Sequence, residues 1–483
     1  MAVPRRCTVT SSHTPRPRNI PAQGGTTSSF LWTLLPLALQ LVACGPQDNT
    51  GDSLQVFVEE RDDGQVGTGT EEDPYASLQD AIDASEDGAT IHIANGRYEA
   101  EVREFIDPTC GNCDDTNFRD DVNVTVGFHV HGKSLHLRGE SRDGSILDTG
   151  AGYGVLFEEA GQSSVTGLTV TGGRRDADGR ATNAAIVVRY TDLLVRDVDV
   201  VENNHLYEPA PGEDDPVAGV MGITGREGSR LTVVGCRIED NSWDGIALYR
   251  SDPEVEDSSP SAVIVDNIIG CTTDCVQPNG RGAGIGITWD AEAEIINNEI
   301  HHYWKGIGSF GNSEVVATNN VVRDQVGWGV IASGESTMHA VNNLIINNGT
   351  TGLAAWNLGA SGAFVNNIIT GNGWSADEWV GKKTGVWMNA PDDFEFSHNN
   401  VWNNSNFDVC SGGTPGSTPC TNIHFDGVDG NLSVDPQFAD TDNYALADGS
   451  PMIDAGDPEI LDLDGSTSDL GVHGGPEAGR EEP

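Results

Sequence analysis

Two histidines have a spacing that could support metal binding. His129 and His131 lie two residues apart in a stretch that reads as a β-strand, so both imidazoles would project from the same face. Imidazole is a common ligand of zinc and related metals. Two histidines alone are a weak indication of a metal site, and a surface or packed pair is the favoured interpretation.

Three aspartates near the C-terminus form another candidate site. Asp462, Asp464 and Asp469 surround Gly465 in an arrangement similar to a calcium-binding loop. The spacing differs from that of an EF-hand, because no acidic residue stands at the closing position. Calcium is the one cofactor that these residues suggest, and a capped turn is the alternative interpretation.

Aromatic side chains mark a candidate surface for sugars. Several short segments begin with Gly and continue with an alternating pattern that points the second and fourth residues after the Gly outward. Flat aromatic rings on an extended surface stack on sugar rings through apolar contact. Carbohydrate binding is therefore predicted, unless inserted loops cover the rings, for Tyr249, Phe310, Trp356 and Trp387.

Six cysteines fall into close pairs along the chain. In an oxidising compartment, such pairs form local disulfides that fix loops. The predicted pairs are Cys110 with Cys113, Cys271 with Cys275, and Cys410 with Cys420. Cys236 lies alone in an apolar strand and is predicted to be a buried free thiol.

A repeat organises the middle of the chain. A pair of asparagines followed by mostly apolar residues recurs, with its second Asn at positions Asn298, Asn320, Asn343, Asn367 and Asn400. The steps are 22, 23, 24 and 33 residues long. Short β segments repeated at this period predict a β-solenoid. Asn tolerates the left-handed backbone of a corner. Stacked amides can also form a hydrogen-bonded ladder from coil to coil.

Two terminal segments accompany this repeat. Residues 56–98 contain Asp73-Pro74, which predicts the start of a short helix with Tyr75, Leu78 and Ile82 on one face. Residues 435–471 contain the phrase Gly449-Ser450-Pro451-Met452-Ile453-Asp454. Together with the Asn repeat, these segments resemble the secreted right-handed β-helix proteins of the pectin-lyase-like superfamily, specifically the bacterial surface type.

The resemblance implies an all-β fold, a right-handed parallel β-helix. A short N-terminal helix would cover one end of the solenoid, and the C-terminal segment would close the other. The resemblance says little about chemistry, because this fold is shared by lyases, hydrolases, adhesins and inert scaffolds.

The sequence does not define a catalytic set. Polysaccharide lyases of this fold pair acidic calcium ligands with a Lys or Arg base, and glycosidases need a pair of carboxyl groups. Asp244, Arg250, Asp290 and Lys305 lie near the predicted strands, but they form no repeated acidic rows. With 74 Asp and Glu residues in the chain, any carboxyl pair chosen from the sequence would be arbitrary.

The first 43 residues are predicted to be an export signal. They contain no Asp or Glu, and their apolar run over residues 30–42 is too short to span a bilayer. The run ends in Leu41-Val42-Ala43-Cys44, which resembles a bacterial lipobox, so Cys44 is predicted to carry a lipid anchor. An ordinary secretory signal with a chance Cys is the alternative. Gly45 in place of Asp favours, by the same resemblance, anchoring to the outer membrane on its periplasmic or cell-surface side.

The charge of the chain limits its partners. The formal net charge is −48. Such a surface repels nucleic acid and anionic headgroups, so we expect no nucleic-acid partner and membrane contact only through the lipid anchor. We expect a monomer.

These observations favour a surface lipoprotein that binds or organises extracellular polysaccharide without catalysis. The alternative is a carbohydrate-active enzyme, either a polysaccharide lyase or a glycoside hydrolase. The predicted segments are the signal peptide 1–43, a linker 44–55, an N-terminal strand and capping helix 56–107, β-helix coils with inserted loops 108–430, and a C-terminal capping segment with an acidic tail 431–483.

The lipobox interpretation can be tested by replacing Cys44 with Ala. The variant should lose its incorporation of labelled palmitate and its partition with membranes, because the Cys44 thiol is the predicted attachment point for the lipid. If the variant and the parent partition alike, the protein is not anchored through Cys44.

Overall fold

The computed structural model describes residues 54–61, 65–204, 219–271, 282–356, 359–375, 382–413 and 420–478. The predicted signal peptide, Cys44 and Cys275 lie outside these residues. Within them, nearly all regular structure is β-strand, with one α-helix, Leu78–Ala84, and two short 3-10 helices, Asp115–Asn117 and Pro391–Asp393. No helix in the described ranges combines the length and apolar character needed to cross a membrane.

The strands stack in parallel into three faces of a solenoid. Face III contains eleven strands in the described residues, one for each coil. The all-β, right-handed parallel β-helix predicted from the sequence is confirmed. The strands of face III are Gly96–Glu99, Ser145–Asp148, Thr169–Thr171, Asp199–Val201, Arg237–Glu239, Ile268–Gly270, Glu299–His301, Val321–Arg323, Leu344–Ile346, Ile368–Thr370 and Asn400–Trp402.

Face I carries the segments that begin with Gly. The first residue after Gly is buried inside the coil, as alternation predicts, and Ile246, Ile285 and Ile307 are all 0% exposed. Its strands are Val122–His131, the first parts of Tyr153–Thr166 and Ala184–Arg196, and then Met221–Gly225, Ile246–Leu248, Ala283–Ile287, Lys305–Ser309, Trp328–Ala332, Thr351–Ala355, Thr384–Met388 and Phe407–Ser411.

Face II follows face I in each coil. In two coils a single long strand serves both faces and turns at a residue with positive φ, Glu159 in one and Tyr190 in the other. The strands of face II are Gln55–Val58, Ala89–Ile93, Leu135–Gly139, the second parts of Tyr153–Thr166 and Ala184–Arg196, and then Arg230–Val234, Ser261–Val265, Glu292–Ile296, Glu314–Thr318, Thr337–Val341, Ser361–Val365 and Phe394–Ser397.

The predicted asparagine ladder joins the coils between faces II and III. Asn320 Nδ2 donates to Asn343 Oδ1 at 3.0 Å, and Asn343 Nδ2 donates to Asn367 Oδ1 at 3.0 Å. The first Asn of each pair takes the left-handed corner, as Asn342 does with φ +55°. The full ladder is Asn267, Asn298, Asn320, Asn343, Asn367, Asn399 and Asn431.

One copy of the repeat has a different register from the one predicted. Asn399 rather than Asn400 occupies the ladder, because His398 takes the left-handed corner with φ +52°. Val401 is consequently buried in the core, whereas Trp402 is half-buried. Counting from Asn400 as the second Asn of its pair predicts Trp402 on the inner face, and the observed register corrects this position.

Cys236 occupies the ladder position one coil before Asn267. Its backbone N–H donates to Asn267 Oδ1 at 2.9 Å. The thiol is free and buried, as predicted.

A second amide ladder, which the sequence analysis missed, joins faces III and I. Asn348 Nδ2 donates to Asn372 Oδ1, and Asn372 Nδ2 donates to Asn404 Oδ1, both at 2.9 Å. Each member lies five residues after a member of the first ladder, and this constant offset was the available signal. Gln325 extends the column, since its backbone N–H donates to Asn348 Oδ1.

The N-terminal helix begins later than predicted. Ser77, rather than Asp73, is the N-cap and accepts a hydrogen bond from the Asp80 N–H at 3.2 Å. The predicted apolar face is present, because Leu78 and Ile82 are buried in the core at the N-terminal end of the coils.

The C-terminal segment only partly closes the far end of the solenoid. Phe425 packs on the core there, and Leu432 pairs with the last coil. Later residues instead fold back along face III, where Met452 and Leu470 cover Leu344 and Ile368. The prediction that this whole segment caps the end is therefore corrected.

Asparagines at the left-handed corners hold this returning segment against face III through hydrogen bonds. Asn319 Nδ2 donates to the carbonyls of Val472 and Gly474, at 3.0 and 2.7 Å. Asn342 Nδ2 donates to the Asp469 carbonyl at 2.8 Å. The two asparagines of each pair thus have separate roles, one inside the coil and one on its surface.

Replacing Asn343 with Leu should lower the free energy of unfolding by roughly 1–3 kcal/mol, because the amides of Asn320 and Asn367 would lose buried partners. Chemical denaturation of the parent and the variant measures the difference. Asn422→Leu, at an exposed position, serves as the control. Equal losses in the two variants would contradict a role for the ladder.

Candidate functional site

The outer surface of face I consists of three columns of outward-pointing residues. Backbone pairing aligns Asp244, Ala283, Lys305 and Trp328 in the first column. The second column contains Ala247, Gly286, Gly308, Ile331, Ala354 and Trp387. The third column contains Glu158, Arg189, Arg226, Tyr249, Thr288, Phe310, Ser333 and Trp356. The predicted aromatic positions and the charged residues before them therefore share one surface.

The N-terminal arm, residues 103–121, covers the first coils of face I. Its strand Arg103–Asp107 pairs antiparallel with Val122–His131, and its tip is closed by the Cys110–Cys113 disulfide. Cys110 packs in an apolar cluster with Tyr249, which is only 8% exposed. The expectation that Tyr249 offers its ring to a sugar is therefore wrong, since an inserted arm covers it.

The C-terminal hairpin, residues 407–413 and 420–422, covers the last coils. The predicted Cys410–Cys420 disulfide links its two parts. Trp387 lies beneath it with 0% exposure and donates from Nε1 to the Gly412 carbonyl at 2.9 Å. Alternation correctly directs Trp387 out of the coil, but its predicted access to sugars is wrong.

Only one cysteine of the third predicted disulfide is among the described residues. Cys271 is disulfide-bonded, and Cys275 lies outside the described residues.

Phe310 and Trp356 remain half-buried between these covers. Trp356 belongs to a row of indoles in which neighbouring ring centres lie 5.3 to 6.2 Å apart. The row runs through Trp304, Trp328, Trp356 and Trp387. Sequence analysis missed Trp304 and Trp328, because they precede the Gly from which the outward positions were counted.

Asp244 and Lys305 stand in the same column with only Ala283 between them. Two coil steps separate their backbones by about 10 Å. Burial raises the pKa of Asp244 to about 6, although the Ala283 N–H and the Lys305 ammonium act in the opposite direction. A carboxyl group with this pKa can take up or release a proton near neutral pH.

Small residues form the floor beside these two groups. A methyl group added at Gly286 would meet Asp244 Oδ2 at 3.5 Å and Ala283 Cβ at 3.6 Å, which are ordinary contacts. The Lys305 ammonium lies 5.4 Å from the ring centre of Phe310. We call Asp244, Gly286, Lys305, Gly308 and Phe310 the central strip.

A buried charge network holds the N-terminal arm against face I. The Arg226 guanidinium contacts Asp107 and donates to Glu227 Oε1 at 2.8 Å, and all three side chains are at most 1% exposed. Burial raises the pKa of Asp107, but Arg226 and Arg189 outweigh this effect and hold the pKa below its usual value. Asp107 and Arg226 lie 119 residues apart, so no local pattern in the sequence indicates their contact.

Arg189 and Glu158 connect this charge network to the two histidines. Arg189 Nη1 donates to Glu158 Oε1 at 2.9 Å. The other oxygen, Oε2, lies 3.5 Å from His129 Nε2 and 3.4 Å from His131 Nδ1. The structure confirms that both imidazoles project from one face and adds Glu158 as a third group.

The three aspartates of the predicted calcium loop accept hydrogen bonds from backbone N–H groups. In the described residues, Asp464 Oδ1 accepts the Ser466 N–H, and Asp462 accepts the N–H groups of Asp469 and Gly475. Within the described ranges, His129, His131 and Glu158 bring three possible ligand atoms close together, whereas these aspartates do not. The carboxylates cap turns, which is the alternative interpretation.

Comparisons with known proteins agree with this fold. Residues 222–401 match the family model described as right handed beta helix region. No curated protein matches the sequence.

Solved structures of similar fold include the A-module of a mannuronan C-5 epimerase, AlgE4, from Azotobacter vinelandii. It is 14% identical, with 75% of this chain and 93% of that chain covered and a TM-score of 0.38. Pectate lyase Pel9A is 15% identical, with coverages of 87% and 97% and a TM-score of 0.41. A rhamnogalacturonan lyase is 13% identical, with coverages of 82% and 96% and a TM-score of 0.44. These likenesses concern the fold alone.

The raised pKa of Asp244 predicts a pH-dependent effect of Asp244→Asn. Below about pH 4 the parent carboxyl is neutral, so the two proteins should have similar melting temperatures. The native state holds the proton more tightly than the unfolded state, so the parent loses stability as pH rises from about 4 to 6. At pH 7 the variant should therefore melt higher than the parent.

The other charged and titratable groups that face Asp244 do not reverse this loss of stability with rising pH. The Lys305 ammonium lowers the pKa of Asp244 but does not outweigh burial, and Tyr249 and Tyr303 stay neutral because burial raises their pKa values. Asp392→Asn, at an exposed position, is the control. A melting difference for Asp244→Asn that is the same at pH 4 and pH 7 would refute the raised pKa.

Proposed function

We propose that the protein binds a polysaccharide chain along face I, over the central strip, and that a lipid on Cys44 holds this body on the outside of the cell. The observation that carries the proposal is the stretch of half-buried Phe310, Trp356 and Trp304 between two disulfide-closed covers. Covers at both ends and an accessible middle fit a site for a short stretch of chain that lies along the columns of face I.

Stacking supplies the main attraction in this proposal. Phe310 lies over Gly308, where an added methyl group would meet its ring at 2.6 Å. The glycine therefore lets the half-buried ring lie against the sheet, beside the Lys305 ammonium. Trp356 stands two coils further along the same column, so two sugars of one chain could stack at separate points.

Polar groups beside the rings would orient the sugars. Asp244, Thr288, Lys305 and Ser333 are half-buried on the same surface and can exchange hydrogen bonds with hydroxyl groups. The formal net charge of −48 opposes the approach of a long polyanion. We therefore infer a neutral glycan as the preferred ligand.

The binding proposal is tested by affinity electrophoresis on gels that contain neutral or uronic-acid polysaccharides. Phe310→Ala should reduce the retardation of the parent on a neutral glycan by about tenfold in apparent affinity, the loss of roughly 1–2 kcal/mol of ring contact. Trp402→Ala, a half-buried Trp on face III, should leave the retardation unchanged. Melting temperatures of both variants show whether the fold is intact.

A protein that no glycan retards would contradict the proposed function. Equal retardation of the parent and Phe310→Ala, on every glycan that the parent binds, would exclude the central strip. Preference for a uronic-acid polymer would contradict the inferred neutral ligand.

One observation favours catalysis as a second candidate function. Asp244, with a pKa near 6, could transfer a proton to or from a bound sugar, while the Lys305 ammonium would stabilise negative charge. Incubation with the same polysaccharides, followed by assays for reducing ends and for unsaturated products, tests this. Product formation that Asp244→Asn abolishes would favour an enzyme, and no product from any glycan retained on the gels would exclude one.

A further inference from the structure

We propose that His129, His131 and Glu158 bind a divalent transition-metal ion of the zinc class at the N-terminal end of face I. The site lies several coils away from the central strip and does not depend on the proposed glycan binding. It combines two imidazole nitrogens with one carboxylate oxygen, a ligand set that zinc accepts.

The distances between these groups fit a shared ion better than a hydrogen bond. Glu158 Oε2 lies 3.5 Å from His129 Nε2 and 3.4 Å from His131 Nδ1, and the three residues can each offer one ligand atom within 4.8 Å of the others. Tetrahedral zinc with bonds of about 2.0–2.1 Å places its ligand atoms about 3.3–3.4 Å apart. Good N–H···O hydrogen bonds are shorter than this, at about 2.9 Å.

Among the described residues, one ligand atom has no hydrogen-bond partner. His129 Nε2 is buried, and its contact with Glu158 Oε2 is longer than a normal hydrogen bond. A buried polar atom without a partner is costly, and a metal ion between His129 and Glu158 would satisfy it.

The surrounding structure fixes the ligands in place. Gln79 of the N-terminal helix bonds the backbone of His129 on both sides, since its Oε1 accepts the His129 N–H at 2.9 Å and its Nε2 donates to the His129 carbonyl at 3.2 Å. Arg189 binds Glu158 through Oε1, which leaves Oε2 directed at the histidines. Such outer contacts orient metal ligands and tune their affinity.

The arrangement leaves one side of the ion open. A cleft of about 260 Å³ adjoins the histidines and is lined in addition by Asp83, Arg103 and Lys133. Three protein ligands would leave the fourth tetrahedral position to a water molecule in this cleft. The site therefore has the form of an exchangeable or catalytic metal site rather than a closed structural one.

The experiment uses Zn²⁺ alone as the probe and the purified protein, without a polyhistidine tag, after treatment with a chelator. Competition with a chromophoric chelator should give one equivalent of Zn²⁺ bound with micromolar or tighter affinity. The melting temperature should rise with added Zn²⁺, because the ion binds only the folded site. Co²⁺ in the same site should show the visible absorption of a low-symmetry, four-coordinate ion.

His131→Ala is the decisive variant, since this side chain is 56% exposed and its removal should not disturb the fold. It should weaken Zn²⁺ binding by roughly tenfold or more while keeping the metal-free melting temperature of the parent. Glu158→Gln should also weaken binding. The matched controls are His424→Ala and Glu159→Gln, which alter exposed residues outside the site.

Two results would overturn the proposal. One is the absence of stoichiometric Zn²⁺ binding by the parent. The other is binding that His131→Ala leaves unchanged, which would assign the metal to other acidic or histidine residues. Neither result bears on glycan retention, so this proposal and the proposed function fail independently.

Discussion

Hydrogen bonds between stacked asparagine side chains fix the register of the coils. Parallel strands have no hairpin turns that set their alignment, and a slip of one residue would exchange the inner and outer faces. Asn343 prevents this, because its amide donates to Asn367 Oδ1 while its own Oδ1 accepts from Asn320. A slipped coil would leave these buried amides without partners. Every surface column of face I follows from this alignment.

The N-terminal arm covers the first coils of face I and the C-terminal hairpin covers its last coils, whereas the middle coils are accessible. The shielding of the first coils depends on the buried charges of Asp107, Arg226 and Glu227, which come from different parts of the chain. Buried ion networks add little to stability compared with apolar packing, but a misplaced partner is strongly unfavourable. The network therefore acts mainly as a positional constraint on the N-terminal arm. Through Arg189 it also orients Glu158 toward the two histidines.

Face III is occupied by the chain itself. The corner asparagines Asn319 and Asn342 hold the returning C-terminal segment through its carbonyl groups, and Met452 and Leu470 cover apolar side chains of this face. This part of face III is therefore covered by the chain and closed to a ligand. In the acidic C-terminal loop, Asp462 and Asp464 also bond to the chain itself, because they accept hydrogen bonds from backbone N–H groups and stabilise turns.

The sequence by itself determined the solenoid, because the Asn repeat and the alternation after each Gly are local patterns with one structural solution. It also determined the pairs Cys110–Cys113 and Cys410–Cys420, which are close along the chain. Only the tertiary structure decided which outward residues are accessible. Trp387 and Phe310 both point away from the core, yet one lies beneath the C-terminal hairpin and the other is half-buried at the surface. Contacts between distant segments determine which rings are accessible. Such contacts also bring Glu158 next to His129 across adjacent coils. No local sequence pattern encodes contacts of this kind.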